Sequence, residues 1–155
     1  MTTWSNLESD NPDLAAKGRK LLYQEDNYAS AFLATAGSDC HPRVHPVFPV
    51  LSHGSLWLFI VNISPKYRDL KRNSKFALHS FPVPGGGEEF HILGRAEEIT
   101  DPDQRVTISE ATGNRQGTMD FESLFECKLT SVLHTHWDNW GTERAWPSYS
   151  KWIAD

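Results

Sequence analysis

The chain has 155 residues, 39% of them hydrophobic, and a net charge of −5 at pH 7. That length holds one domain with a real core and is too short for two comfortable ones, and 6 Trp, 8 Phe and 4 Tyr add large apolar area. The mild acidity excludes a general affinity for nucleic acid or anionic membrane, so an anion site would need a local concentration of basic residues.

Residues 1–13 are polar and acidic, unlike a signal peptide. No apolar run approaches the ~18 residues of a membrane helix. Cys40 and Cys127 are far apart and form no CxxC, so no disulfide framework is expected and a reducing cytoplasm is the expected location. Asn11-Pro12, a capping residue followed by proline at the first helical position, predicts a helix to about Glu25. Leu14, Leu21 and Leu22 form its apolar face, with Gly18 as a weak point. Strands follow over 28–35 and 43–51, the second demoted to an edge or bulged strand by Pro46 and Pro49. A hairpin turn at 52–55 leads into the apolar run 56–61, which reads as a buried strand.

Ser64-Pro65 opens a short helix that ends near Asn73. Strands are predicted over 76–81 and 89–100, with Gly94 marking a bulge or a close approach. Asp101-Pro102 starts a third helix that Gly113 stops. Residues 124–137 read as a long strand, and 137–141 as a turn that folds the Trp-rich tail back over the barrel. Six strands with short turns and peripheral helices make the chain mainly β (α+β), a closed or half-closed antiparallel barrel. A doubly wound parallel sheet would need crossover helices that the turns between the first three strands cannot hold.

The strongest chemical signal is Ser64-Pro65-Lys66. A helix start offers free N–H groups and the positive end of the dipole to an anion. Lys66 sets a full positive charge against that dipole, which a bound anion would compensate. Lys66, Arg68, Lys71, Arg72 and Lys75 face one acid, Asp69, in this stretch; a solvated helix face is the alternative reading. Arg43, at a strand start after Pro42, is the second candidate because a guanidinium fork suits phosphate oxygens. Its alternative is an exposed strand-end arginine.

His134 and His136 share one face of a strand, and His41 and His45 flank a turn, but no acid or cysteine stands at a helpful spacing, so no metal site is expected. Trp137, Trp140, Trp146 and Trp152 are read as packing residues rather than a stacking platform. No GxSxG, P-loop or GxGxxG occurs, and no side chain is marked as a catalytic acid, base or nucleophile.

The stretch 31–35, with His41-Pro42-Arg43-Val44-His45-Pro46-Val47, resembles the first two strands of the pyridoxamine-phosphate-oxidase-like FMN-binding split barrels. Residues 56–61, then Ser64-Pro65-Lys66, Leu70 and Asn73, are similar to their third strand and phosphate helix. Residues 90–96 are similar to their strand–Gly–x–Ala segment. The likeness spans about half of the chain, residues 28–101. It implies one domain over residues 1–155, a six-stranded antiparallel split β-barrel with peripheral helices. It further implies an FMN-binding oxidoreductase acting on a small-molecule substrate, with the deazaflavin F420 or haem as alternative cofactors. A non-enzymatic flavin- or haem-binding carrier or stress protein is the other implied role. Arg43 and Lys66 would hold the phosphate, with Ser64 as a further partner. Val44, His45, Pro46, Val47, Phe59 and Ile60 would line the isoalloxazine ring, and a homodimer would enclose it. Pro65 stands where the vitamin B6 oxidases carry a second basic residue, and the Trp-rich tail replaces their substrate motif, so oxidation of that vitamin is not expected.

Overall fold

Residues 31–36 bury every second side chain, as a strand with one face on a core must. The same alternation recurs along residues 75–80 and 88–96. The structure, a computed structural model, describes residues 2–24 and 28–155. In chain order its elements are α1 (Trp4–Asp10), α2 (Pro12–Leu22), β1 (Ala31–Ala36), β2 (Pro42–Val47), β3 (Val50–Ser52), β4 (Ser55–Val61), α3 (Pro65–Arg72), β5 (Lys75–Ser80), β6 (Glu88–Ile99), α4 (Pro102–Ala111), β7 (Glu122–Asp138) and β8 (Trp146–Ile153). Every strand pairing is antiparallel. The neighbours run β2-β1-β5-β6-β7-β4-β3, with β8 also on β7. β2 and β3 end the series without pairing to each other, so the barrel is split between them.

The antiparallel split barrel matches the sequence reading, but the sheet has eight strands rather than six. Pro49 is the physical reason for one addition. It lacks an N–H and interrupts the expected strand 43–51, leaving β2 and the short β3. The other addition is β8, formed where the Trp-rich tail turns back and pairs from Asp138↔Trp146 to Ser131↔Ile153. Helix α1 was not expected because its only apolar signal is Trp4 and Leu7, both buried; Asn6 Oδ1 accepts the Thr3 N–H at 2.8 Å to close its start. Helix α2 stops at Leu22, where the Tyr23 N–H closes on the Arg19 carbonyl; Glu25, its expected end, lies outside the described residues.

β7 is the spine, a 17-residue strand. One edge pairs with β6 from Leu124 to His136. The other edge carries β4 over 122–127, a bridge from Thr2 at Leu129, and β8 over 131–138. Gly94 does both things expected of it. The β6–β7 register shifts between Leu93 and Gly94, and a Cβ at Gly94 would run into the Lys128 carbonyl. Gly18 is a contact rather than a weak point, since α2 lies directly on the Phe90 ring there. The main core joins α1 and α2 to the inner faces of the strands through Trp4, Leu14, Leu33, Ile60, Phe90 and Phe125, each burial worth about 1.5–3 kcal/mol. Cys40 and Cys127 are both free thiols. No helix among the described residues is long and apolar enough to cross a membrane.

Candidate functional site: the α3 N-terminus and the start of β2

The turn after β4 delivers the chain to α3. Ser64 has extended backbone (φ −79°, ψ 154°), its Oγ accepts the Tyr67 N–H at 3.3 Å, and Pro65 occupies the first turn. These are the requirements of a helix start that presents its N–H groups outward. α3 then anchors itself through Asp69, which is 2% exposed. Thr35 Oγ1 donates to Asp69 Oδ2 at 2.9 Å, Arg43 Nε lies 3.8 Å from the same oxygen, and Arg72 Nη2 lies 3.4 Å from Oδ1. One carboxylate is thus shared by two guanidiniums, which leaves the corner positively charged before Lys66 is counted.

The basic run divides into spent and unspent charges. Arg72 is held by Asp69 and also donates to the Ala36 carbonyl. Lys71 pairs with Glu98 at 2.6 Å, and Arg68 donates to the Ile63 carbonyl at 3.1 Å. Lys66 makes no ion pair and no side-chain hydrogen bond among the described residues. His45 lies within the field of Lys66 and Arg43. Its Nε2 is buried and has no hydrogen-bond partner among the described residues. Burial first, then the positive charges of Lys66 and Arg43, hold its pKa below the ordinary histidine value, with Asp69 opposing. His45 is therefore a neutral imidazole in a basic corner. Arg43 also leans on the turn before it: a Cβ on Gly37 would stand 3.0 Å from Arg43 Nη2 and 2.7 Å from Asp39 Oδ1, so glycine makes room for the guanidinium.

Of the residues expected to bind a cofactor, Arg43, His45, Ser64 and Lys66 come together at this corner. The other five are distributed by strand alternation. Arg43, His45 and Val47 point to one side of β2, whereas Val44, 61% exposed, and Pro46 point to the other. On β4, Ile60 is fully buried in the main core. The Phe59 ring faces the opposite way, packing with Trp57, Ile108 and Leu124 beneath Gly117. The side chains of Val44, Pro46, Phe59 and Ile60 thus form no common surface with the basic corner. Two members of the site were missed, Asp69 and Thr35. The signal for Asp69 was present, a lone acid in a basic run, three residues before Arg72 and next to the apolar Leu70. Nothing in the sequence marks Thr35, whose role depends on the strand pairing that sets it opposite Arg43. Among the described residues no group of three His, Cys, Asp or Glu side chains is placed to hold a metal ion.

A split barrel with a basic corner defines a class of fold rather than one protein. No protein-family model matches the sequence. No curated protein is significantly similar to it. Solved structures are. A Clostridium acetobutylicum protein related to general stress protein 26, of the pyridoxinephosphate oxidase family, superposes with a TM-score of 0.65 at 12% identity, over 88% of this chain and 92% of its own. HutZ, the heme storage protein from Vibrio cholerae, gives 0.61 at 14% identity over 90% and 94%. An F420 reductase gives 0.56 at 18% identity over 73% and 94%. The chain therefore has the pyridoxamine-phosphate-oxidase-like split-barrel fold.

Proposed function

We propose that this chain binds FMN by its phosphate at the α3 N-terminus and acts as a flavin-dependent oxidoreductase on a small organic molecule. The observation that carries the reading is a pair of groups unpartnered among the described residues: Lys66, and the buried Nε2 of His45, which feels the Lys66 charge. A phosphate fits both needs, since it supplies the anion that the corner lacks and oxygens to accept hydrogen bonds. Lys66 and the outer nitrogens of Arg43 provide the charge, Ser64 a hydroxyl, and the α3 N–H groups the dipole end. His45 stays neutral and offers Nε2 without adding a charge. The flavin supplies the redox chemistry when bound, and the chain's own residues bind, orient and shield it. Three similar folds carry the names of a pyridoxinephosphate oxidase family protein, an F420 reductase and a heme storage protein, which supports a planar cofactor in this fold.

The outward face of the sheet supports a homodimer as the working form. Val44 at 61%, Leu93 at 40% and Ile153 at 60% are exposed apolar residues on three of its strands. Two free thiols accord with a reducing, cytoplasmic setting. The test is a visible-spectrum titration of the purified chain with FMN, F420 and haem, repeated with Lys66→Ala. A saturable FMN signal in the parent that weakens more than tenfold in the variant is expected. F420 binding without FMN binding would make the chain a deazaflavin reductase. Haem binding unaffected by Lys66→Ala would make it a haem protein, with the phosphate assignment wrong. Sedimentation at micromolar concentration is expected to show a dimer, and a strict monomer would remove that part of the reading.

A further inference from the structure

A second site lies at the other end of β2. Five residues beyond Arg43, about 17 Å along an extended strand, Phe48 leaves the barrel edge and forms one wall of a pocket of about 250 Å³. Tyr28 forms the adjoining wall, its ring meeting that of Phe48 edge-on at 5.4 Å. Pro49, Val50 and Ala29 make the floor apolar, while Tyr23 and the end of α4 close the remaining sides. The rings stand open, Tyr28 at 43% and Phe48 at 51% exposed, although the neighbouring Ala29 and Val50 are buried. Beyond the edge-on contact they make with each other, the two rings keep exposed surface at the pocket on which another ring could stack.

The polar groups at the pocket limit what can enter it. The Tyr23 hydroxyl accepts the Leu51 N–H at 3.2 Å, which leaves its own proton to donate inward. The Gln116 carboxamide has no partner among the described residues, whereas its backbone N–H and C=O are tied to Thr112 and Ser109. A carboxamide offers one acceptor and two donors in a plane, which complements another amide or the edge of a nitrogen heterocycle. The apolar floor makes a charged ring costly to bury, and the Arg115 guanidinium, whose Nε donates to the Thr112 carbonyl at 2.8 Å, is already engaged where it lines the pocket. We propose that this pocket, lined by the paired rings of Tyr28 and Phe48 and by Gln116, whose carboxamide has no partner among the described residues, binds a planar, uncharged heteroaromatic ring carrying an amide or equivalent hydrogen-bonding group. The site goes beyond the flavin reading and does not depend on it, because none of its residues belongs to the basic corner.

The probe is nicotinamide, observed by saturation-transfer NMR on the full chain, with benzylamine as a cationic ring of similar size. Nicotinamide is expected to show saturable transfer that benzylamine does not. Phe48→Ala is expected to raise its Kd at least tenfold, and Gln116→Leu about fivefold or more. Amide dispersion and FMN affinity should stay at the parent's values in both variants. Should Phe48→Ala misfold, Gln116→Leu alone decides, since its side chain supports nothing else. Absence of transfer to nicotinamide, equal transfer to benzylamine, or parental affinity in the folded variants would each overturn the assignment. Failure of FMN to bind the parent would refute the cofactor reading and leave this result standing.

Discussion

His45 and His134 present the same local problem with opposite surroundings. Each has a buried Nε2 without a hydrogen-bond partner among the described residues, and burial holds each imidazole below the ordinary histidine value. At His134 the chain supplies an answer: Glu88 Oε1 lies 3.8 Å from Nε2 and 3.5 Å from His136 Nδ1, facing Lys17 from α2. At His45 the nearby charges are Lys66 and Arg43, and the one opposing carboxylate among the described residues, Asp69, is already shared by Arg43, Arg72 and Thr35. An orphaned polar atom therefore has meaning only with its neighbours. With a carboxylate in reach it is internal structure, and among unbalanced cations it leaves a need that the proposed phosphate would meet.

The largest way to break this contrast is to remove the carboxylate that holds the corner. Asp69→Ala strands two guanidiniums and a buried hydroxyl. It is expected to cost about 2–3 kcal/mol in urea unfolding, below the figure for a fully buried pair because both arginines are more than a third exposed. A loss under about 0.5 kcal/mol would show that Asp69 does not organise α3. Next, Lys66→Ala and Arg43→Ala are each expected to weaken FMN binding more than tenfold, about 1.4 kcal/mol or more, while His134→Phe leaves the affinity unchanged. A loss for His134→Phe in isothermal titration as large as theirs would show that FMN affinity does not belong to the Lys66–Arg43 corner.

The pH dependence is expected to be smaller and to belong to the other histidine. The folded state disfavours the charged form of His134, so the unfolded chain takes up the proton first and stability is lost as pH falls below the ordinary histidine value of 6.5. His45 and His91 act in the same direction, both held low chiefly by burial. Urea midpoints at pH 7.5, 6.5 and 5.5 should decline, and His134→Phe should flatten the decline; an unchanged slope would mean that Glu88 compensates the charge fully. Last, Lys71→Met removes a cation from the same helix as Lys66, but one already paired with Glu98. FMN affinity should move less than twofold, and a larger drop would indicate that the field of the whole helix matters rather than its first turn.

Much of this was legible in the sequence wherever a local rule decides. Asn11-Pro12, Ser64-Pro65 and Asp101-Pro102 each open a helix at the expected residue. Gly94 lies at the bulge it announced, and the antiparallel barrel follows from the short turns. What the sequence hid is what pairing creates. Thr35 enters the site only because β1 sets it opposite Arg43, and Asp69 because α3 turns it inward. The tail shows the same limit. Of its tryptophans, Trp152 is buried and donates to Asp10 at 3.1 Å, while Trp146 is 74% exposed, so a shared residue type gave no shared role.

The position of β7 in the chain has a consequence for how the protein is made. Every strand before it can pair early only within two separate pieces, the series β2-β1-β5-β6 and the β3-β4 hairpin. No strand pairing joins those pieces until residues 122–138 are available, so during synthesis both keep open sheet edges while the ribosome is still adding chain. Sheet closure then depends on contacts between distant residues, such as Leu56 with Cys127, which makes it slow relative to a helical protein of this size. In pulse-labelled hydrogen exchange the β4–β7 seam should gain protection last, long after α2 and α3 have formed.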